Sequence, residues 1–105
     1  MVSTLSIQDI QSVTYEEEAY LLKVMANPVR LKIFNEIIKR KTLNVTQLTQ
    51  ILGIPQSTTS QHLSKMRGII LNVERNGVEN HYQISNEKMV QIFKELRCSN
   101  EVIVD

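Results

Sequence analysis

The chain has 105 residues, a length that suits one domain, and 42% of them are hydrophobic, enough for a small core. The formal net charge of +1 hides an uneven distribution. Residues 39–75 hold six basic residues and one acidic residue, whereas all the charged residues among the first eighteen are acidic. A basic middle with an acidic flank is typical of a protein that binds a polyanion on one face. The single cysteine, Cys98, excludes an internal disulfide and a Cys-x-x-Cys metal knuckle.

The start of the chain carries no targeting signal that we recognise. Residues 1–13 have no basic region, and Asp9 interrupts their apolar residues, so a signal peptide is not expected. No apolar run is long enough to span a membrane. We therefore expect a cytoplasmic protein with no membrane partner. Its predicted parts are an N-terminal arm over residues 1–14, one domain over residues 15–97 and a C-terminal tail over residues 98–105.

Two helices are predicted in the first part of the domain. Residues 15–26 place three glutamates at the N-terminal end of a helix, where the helix dipole favours negative charge. Asn27 and Pro28 interrupt the chain, because the residue before a proline avoids helical backbone angles. Pro28 suits the first turn of the next helix, predicted over residues 28–41. Its apolar side has helical spacing and holds Leu31, Phe34, Ile37 and Ile38.

A helix-turn-helix unit is predicted next. Asn44 suits the N-cap of a short helix that runs to Leu52, and Gly53 suits a left-handed stop. After the short connection LGIP, a second helix is predicted over residues 56–67. Two helices joined by about three residues that include a glycine are the signature of this motif.

A hairpin and a last helix complete the predicted elements. Residues 71–83 alternate in polarity around Asn76-Gly77, and Asn-Gly between alternating runs indicates a hairpin with a type I′ turn. Residues 86–98 show helical spacing of apolar side chains. A hairpin directly after a helix-turn-helix is a wing. The predicted fold class is mainly α with a β-hairpin: a winged helix-turn-helix with five or six helices, forming a homodimer.

The helix predicted over residues 56–67 has an unusual composition. Its first half carries six hydroxyl or amide side chains: Gln56, Ser57, Thr58, Thr59, Ser60 and Gln61. Such residues are mediocre helix formers. They suit the second helix of a helix-turn-helix, whose N-terminal residues contact base edges in the major groove. The amides of Gln56 and Gln61 can pair with adenine, and Lys65 and Arg67 are placed to hold the DNA backbone.

Helical periodicity separates two faces of this segment. The face predicted to pack inward holds Thr59, Leu63 and Met66. The opposite side holds the candidate contacts Ser57, Ser60, Gln61 and Ser64. Arg75, near the hairpin tip, is expected to reach a minor groove or a phosphate. The predicted partner is double-stranded DNA.

Three quoted stretches carry a family resemblance. They are LLKVMANPVRLKIFNEI, LNVTQLTQILGIPQSTTSQHLSKMRG and VERNGVENHYQIS. Together they resemble the ArsR/SmtB family of winged-helix repressors, over about residues 21–96. The resemblance implies a homodimer joined by its first and last helices, which binds a two-fold operator and blocks transcription. It places DNA contacts on Gln56, Ser57, Thr58, Ser60, Gln61 and Lys65, with Arg75 and Asn76 at the wing.

The sequence also departs from that family. Metal-sensing members carry Cys-x-Cys at the start of the third helix, where this chain has Asn44 and Thr46. The last helix lacks the Asp and His ligands of other members, and a dithiol switch needs two cysteines. His62 and His81 alone make a weak metal site, since zinc normally needs three or four converging ligands. We therefore expect no metal and no cofactor, and no effector is evident.

Dimerisation is predicted from apolar positions on the terminal helices. A three-helix core with a hairpin cannot comfortably cover all of them. They are Leu21, Leu22, Met25, Met89, Ile92, Phe93 and Leu96.

Two other function classes compete with DNA binding. The polar helix face is also compatible with a merely solvated surface. A winged-helix module that binds protein is the first competing class, but a polar, basic helix differs from the aromatic and apolar centres of protein interfaces. An enzyme would need a nucleophile and a base, for which Cys98 and His81 are the available pair. Seventeen residues separate them, and the chain has no glycine-rich phosphate loop. The sequence thus favours a DNA-binding repressor over both.

Overall fold

The computed structural model describes residues 14–104, so the expectation for the N-terminal arm concerns residues outside this range apart from Thr14. Five helices and three strands follow in the order α1 (Tyr15–Met25), α2 (Pro28–Arg40), β1 (Leu43–Asn44), α3 (Val45–Leu52), α4 (Gln56–Met66), β2 (Leu71–Asn76), β3 (Glu79–Ile84) and α5 (Glu87–Val104). The predicted winged helix-turn-helix is confirmed. The helix α5 continues beyond Cys98, where the sequence predicted a tail.

Side-chain caps fix where the helices begin. The Asn27 side chain accepts hydrogen bonds from the backbone N–H groups of Val29 and Arg30, at 2.9 and 3.2 Å. At the start of α3, Asn44 and Gln47 form a capping box, in which each side chain accepts a hydrogen bond from the other's backbone N–H. These caps satisfy N–H groups that the helix itself leaves unpaired. The predicted N-cap at Asn44 is therefore confirmed.

The core lies where α2, α3 and α4 meet the base of the sheet and the first half of α5. Its fully buried apolar side chains come from α2, α3, α4, β2 and the loop before β2. They are Ile33, Phe34, Ile37, Leu48, Leu63, Met66, Ile70 and Leu71. The ring of Phe34 packs edge-on against Phe93 of α5, with centroids 5.5 Å apart. This contact fixes α5 to α2.

The sheet has three antiparallel strands in the order β1-β3-β2. The two-residue strand β1 pairs Leu43 with Tyr82 and Asn44 with His81. The sequence predicted only the hairpin, because two residues are too few to show strand periodicity. Since β1 leads directly into α3, it joins the helix-turn-helix to the wing.

The turn of the wing differs from its prediction. Asn76 pairs with Glu79, so the two central turn residues are Gly77 and Val78 instead of Asn76 and Gly77. Only Gly77 has a positive φ, +67°, which fits a type II′ turn. In the observed register Val73 lies opposite Tyr82. Pairing an aromatic with a β-branched residue favours this register over the one that Asn-Gly prefers.

The residue after α2 has an unusual backbone conformation. Lys41 has φ 76° and ψ −47°, and no other non-glycine residue among residues 14–104 has a positive φ. Its N–H donates to the carbonyl of Ile37 at 2.8 Å. The bend turns the chain from α2 into β1.

Candidate nucleic-acid interface

The helix α4 has two faces of opposite character. Thr59, Leu63 and Met66 are fully buried, as the sequence predicted. Gln56, Ser57, Gln61, Ser64 and Lys65 are exposed, and Thr58 and Ser60 are half-buried. The structure thus presents the predicted hydroxyl and amide groups together on the outer side of one helix. Such groups can donate to and accept from both base edges and phosphates.

A buried pair of hydroxyls sets α4 against α3. The Thr59 hydroxyl donates to the Pro55 carbonyl and accepts from the Thr49 hydroxyl, each at 3.2 Å. The turn between the helices passes through Gly53 at φ 67°, the left-handed stop expected from the sequence. Thr59 is therefore a packing residue that also bonds the two helices of the motif together.

The N-terminus of α4 has no side-chain cap. The residue that precedes the helix is Pro55, which makes no side-chain hydrogen bond to the first turn. The first N–H groups of a helix have no partner within it, and the helix dipole adds positive potential there. This end of α4, with Gln56 and Ser57 exposed beside it, favours a negatively charged group such as a DNA phosphate.

An arginine of α2 holds the side of α4. Arg30 donates from Nε to Nδ1 of His62 at 3.2 Å and from Nη1 to the Val24 carbonyl at 3.1 Å. It therefore bonds the end of α1 and the middle of α4 at once. Burial, with smaller effects from the charges of Arg30 and Lys65, lowers the pKa of His62. His62 accepts this bond only in its neutral form, with the proton on Nε2.

The wing carries one cation at its tip. Arg75 is exposed, and its Nε donates to the Gly77 carbonyl at 3.0 Å, which holds the side chain along the turn. Asn76 is exposed as the last residue of β2, and Val78 is 89% exposed. His81 of β3 is half-buried, and its Nε2 lies 3.3 Å from Oε1 of Glu79. The side chains of Arg75 and Asn76 are therefore accessible to a ligand that approaches the tip of the wing.

Part of the basic middle segment is neutralised within the subunit. Lys39 and Arg40 pair with Glu36 at 3.6 and 3.2 Å. Lys65, Arg67 and Arg75 are exposed and make no ion pair with the described carboxylates. Lys41, after the end of α2, is also exposed and makes none of these ion pairs. The unpaired cations of this segment therefore lie after α2, at the C-terminal end of α4 and on the wing.

The residues expected at a dimer interface divide into two groups. Met25, Met89 and Phe93 are buried in the subunit's own core, so they do not belong to the apolar surface that is left for a second copy. The helical spacing identified an apolar side of each helix but not how much of it the core would cover. Leu21 is half-buried, whereas Leu22, Ile92 and Leu96 are 53%, 44% and 56% exposed.

Among residues 14–104 with described side chains, no group of three or more His, Cys, Asp or Glu residues could hold a metal ion. Cys98 is exposed. No helix in the described part of the chain is long and apolar enough to cross a membrane.

Sequence reasoning missed three residues that shape this surface: Arg30, Thr49 and His62. Each acts through a contact between two different helices, ten positions apart for Thr49 and Thr59 and 32 for Arg30 and His62, and the periodicity of a single helix does not report such a pairing. The one usable signal was His62 itself, since an imidazole between Gln61 and the apolar Leu63 lies at the edge of the two helix faces.

The short turn between α3 and α4, and the hairpin directly after α4, define a winged helix-turn-helix protein. The model of the family described as "Bacterial regulatory protein, arsR family" matches residues 27–69. The transcriptional repressor PagR of Bacillus anthracis is 55% identical over 85 residues, which are 81% of this chain and 86% of PagR.

Solved structures agree with these sequence matches. The crystal structure of PagR superposes with a TM-score of 0.73 and 58% identity, covering 77% of this chain and 93% of that one. The transcriptional repressor BigR of Xylella fastidiosa gives a TM-score of 0.72 with 31% identity, covering 85% and 90%. The chain belongs to the arsR family of bacterial regulatory proteins, and the resemblance expected from its sequence is confirmed. It is a DNA-binding transcriptional regulator.

Proposed function

We propose that this regulator is a repressor that binds a two-fold operator as a homodimer, with the helix of residues 56–67 in the major groove and the hairpin of residues 71–83 as the wing. The observation that carries the proposal is the outer face of α4, where exposed amides and hydroxyls lie together above a fully buried inner face. Two related proteins are named transcriptional repressors. We place its action in the cytoplasm, where bacterial DNA lies.

The proposed DNA contacts differ in what they contribute. Gln56 and Gln61 read adenine, because a side-chain amide matches the donor and acceptor of that base. Lys65 and Arg67 hold phosphates, and Arg75 and Asn76 contact the backbone or the minor groove from the wing. The remaining contacts of α4 are Ser57, Thr58 and Ser60.

The homodimer is supported by the apolar surface that the subunit leaves exposed. Leu22 of α1 and Ile92 and Leu96 of α5 are large apolar side chains with about half of their surface in water. A second copy that covers this apolar surface would complete a two-fold interface, with the same patch on both subunits. Such a dimer presents two copies of α4 to half-sites one duplex turn apart, about 34–36 Å. We assign the protein no metal effector, since Asn44 and Thr46 occupy the positions where metal-sensing members of the family carry cysteines.

Selection of bound sequences from random duplex DNA tests the proposal. We expect an enriched inverted repeat whose half-sites are one turn apart. Gln61→Ala should lower the preference at one base pair of each half-site by about 1–3 kcal/mol. Lys65→Ala should instead weaken binding to all sequences and reduce the salt dependence by about two phosphate contacts, one for each subunit.

Gln91→Ala, on the exposed surface of α5, serves as the matched control for the glutamine variant. Recovery of no sequence preference by the wild-type protein, or an unchanged preference in Gln61→Ala, would contradict the assignment of α4 as the reading helix.

A further inference from the structure

A cavity of about 410 Å³ lies beside α4, where the end of α1 meets the start of α2. We call it the basic pocket, because three of its lining residues are the cations Lys23, Arg30 and Lys65. The Tyr20 side chain and the α1–α2 junction at Ala26 and Asn27 complete its wall. The pocket therefore draws one cation from each of three helices: α1, α2 and α4.

The positive charge of the basic pocket is not balanced within the described chain. No carboxylate lines it. Among residues 14–104 with described side chains, Lys23, Arg30 and Lys65 form no ion pair. Three like charges around one cavity repel one another, and an anion placed between them adds an attraction to each of the three that offsets this repulsion. The lowered pKa of His62, next to the pocket, is due in part to the charges of Arg30 and Lys65.

The wall of the basic pocket is preorganised at Arg30. Its Nε and Nη1 bond to His62 and to the Val24 carbonyl, at 3.2 and 3.1 Å, so the plane of the guanidinium is fixed before any ligand binds. A fixed guanidinium loses little conformational freedom when it binds a phosphate oxygen. Lys23 and Lys65 are exposed and can adjust to the same anion.

The position of Lys65 indicates which anion reaches the pocket. Gln61 and Lys65 are four residues apart on α4, so they are neighbours on its outer side. If Gln61 reads a base, the backbone that borders that groove passes Lys65 and the mouth of the pocket. We propose that the basic pocket binds a phosphate group of the DNA backbone, and that Lys23 and Arg30 are DNA contacts in addition to those expected from the sequence. This inference rests on the proposed function.

The test removes one charge that plays no part in the reading of bases. Lys23→Gln and the matched control Lys88→Gln each neutralise one exposed lysine. Lys88 lies on α5 and does not line the basic pocket. The dissociation constant for a selected duplex is measured against salt concentration. For Lys23→Gln we expect the slope of log affinity against log salt to fall by about 1.8, because the proposed dimer loses one phosphate contact in each subunit, with about thirtyfold weaker binding at 0.15 M salt. Lys88→Gln should keep the wild-type slope.

Each other result overturns a different part of the inference. A wild-type slope in Lys23→Gln, while the wild-type protein binds DNA normally, refutes the pocket as a contact for the DNA backbone and leaves the proposed function intact. Failure of the wild-type protein to bind any duplex refutes the proposed function itself.

A second measurement titrates inorganic phosphate and follows amide shifts in nuclear magnetic resonance spectra. Saturable shifts around residues 23–30 that vanish in Lys23→Gln, together with an unchanged DNA slope, would assign the pocket to a free anion and refute the DNA backbone as its source. Equal circular dichroism of all three proteins confirms that the variants are folded.

Discussion

The helices α4 and α5 have similar core-facing sides and different solvent-facing sides. In α4, Leu63 and Met66 are fully buried, and in α5, Met89 and Phe93 are nearly so. The outer side of α4 carries amides, hydroxyls and cations, whereas the outer side of α5 carries Ile92 and Leu96. The inner faces secure each helix to the same core, so the outer faces are free to differ. One suits nucleic acid and the other suits a second copy of the chain.

The largest expected effect concerns the inner face of α4. Leu63→Ala removes a fully buried side chain and leaves a cavity, so the free energy of unfolding should fall by about 2–5 kcal/mol. Urea denaturation followed by circular dichroism measures this loss. The neighbouring Ser64→Ala, on the outer face, should change stability by less than about 0.5 kcal/mol. Equal losses in the two variants would contradict the division of α4 into faces.

The next effect concerns the outer face of α5. Leu96→Glu places a charge within the apolar surface that we propose as the dimer interface, so we expect the dimerisation free energy to weaken by about 2 kcal/mol or more. Sedimentation across micromolar concentrations should then report one chain in place of two. Gln91→Glu introduces the same charge on another exposed residue of α5 and should leave the mass unchanged. A wild-type protein that sediments as one chain would remove the dimer.

A smaller effect tests the contact between α3 and α4. Thr59→Val keeps the shape of the side chain but removes a buried hydroxyl with two hydrogen bonds, to Thr49 and Pro55. Stability should fall by about 1–2 kcal/mol. Combining Thr59→Val with Thr49→Val should cost less than the sum of the single changes, because the two hydroxyls share one bond. Strict additivity in this cycle would show that the bond contributes nothing.

The smallest expected effect depends on pH. The folded protein lowers the pKa of His62 below its ordinary value of 6.5, mainly through burial and then through Arg30 and Lys65. Below pH 6.5 the unfolded chain therefore binds a proton more readily than the folded protein does, and stability falls as the pH falls. The loss stops once the pH lies below the lowered pKa of the folded state.

Comparing the wild-type protein with His62→Gln between pH 8 and 5 isolates this contribution, since the other titrating groups are common to both. The wild-type protein should lose more stability than the variant. Parallel pH profiles would show that folding leaves the pKa of His62 unchanged, which would contradict its burial against Arg30.

Elements with strong local signals were predictable from the sequence. The cap at Asn44, the stop at Gly53 and the inner face of α4 each depend on residues within one or two turns of helix. The order of the elements was predicted from the same local patterns, and the family resemblance added the expectations of a homodimer, a two-fold operator and a set of DNA contacts. For the same reason the hydroxyls and amides of α4 were identified before the structure was known.

Features that depend on distant contacts were not predictable. The strand β1 exists because Leu43 and Asn44 pair with β3, and the turn shifts to Gly77-Val78 because Val73 lies opposite Tyr82. The bond between Arg30 and His62 joins residues 32 positions apart. The spacing of Met89 and Phe93 predicted an apolar face, but only the packing of Phe34 against Phe93 shows that the face belongs to the core.

The bend at Lys41 has a consequence for protein engineering. Its φ of 76° is one that glycine adopts freely and that costs an ordinary L-residue about 1 kcal/mol or more. Its side chain is exposed. Lys41→Gly would relieve this strain, but glycine also gives the unfolded chain about 0.5–1 kcal/mol more conformational freedom. The relief has to exceed that cost before the substitution makes the protein more resistant to heat.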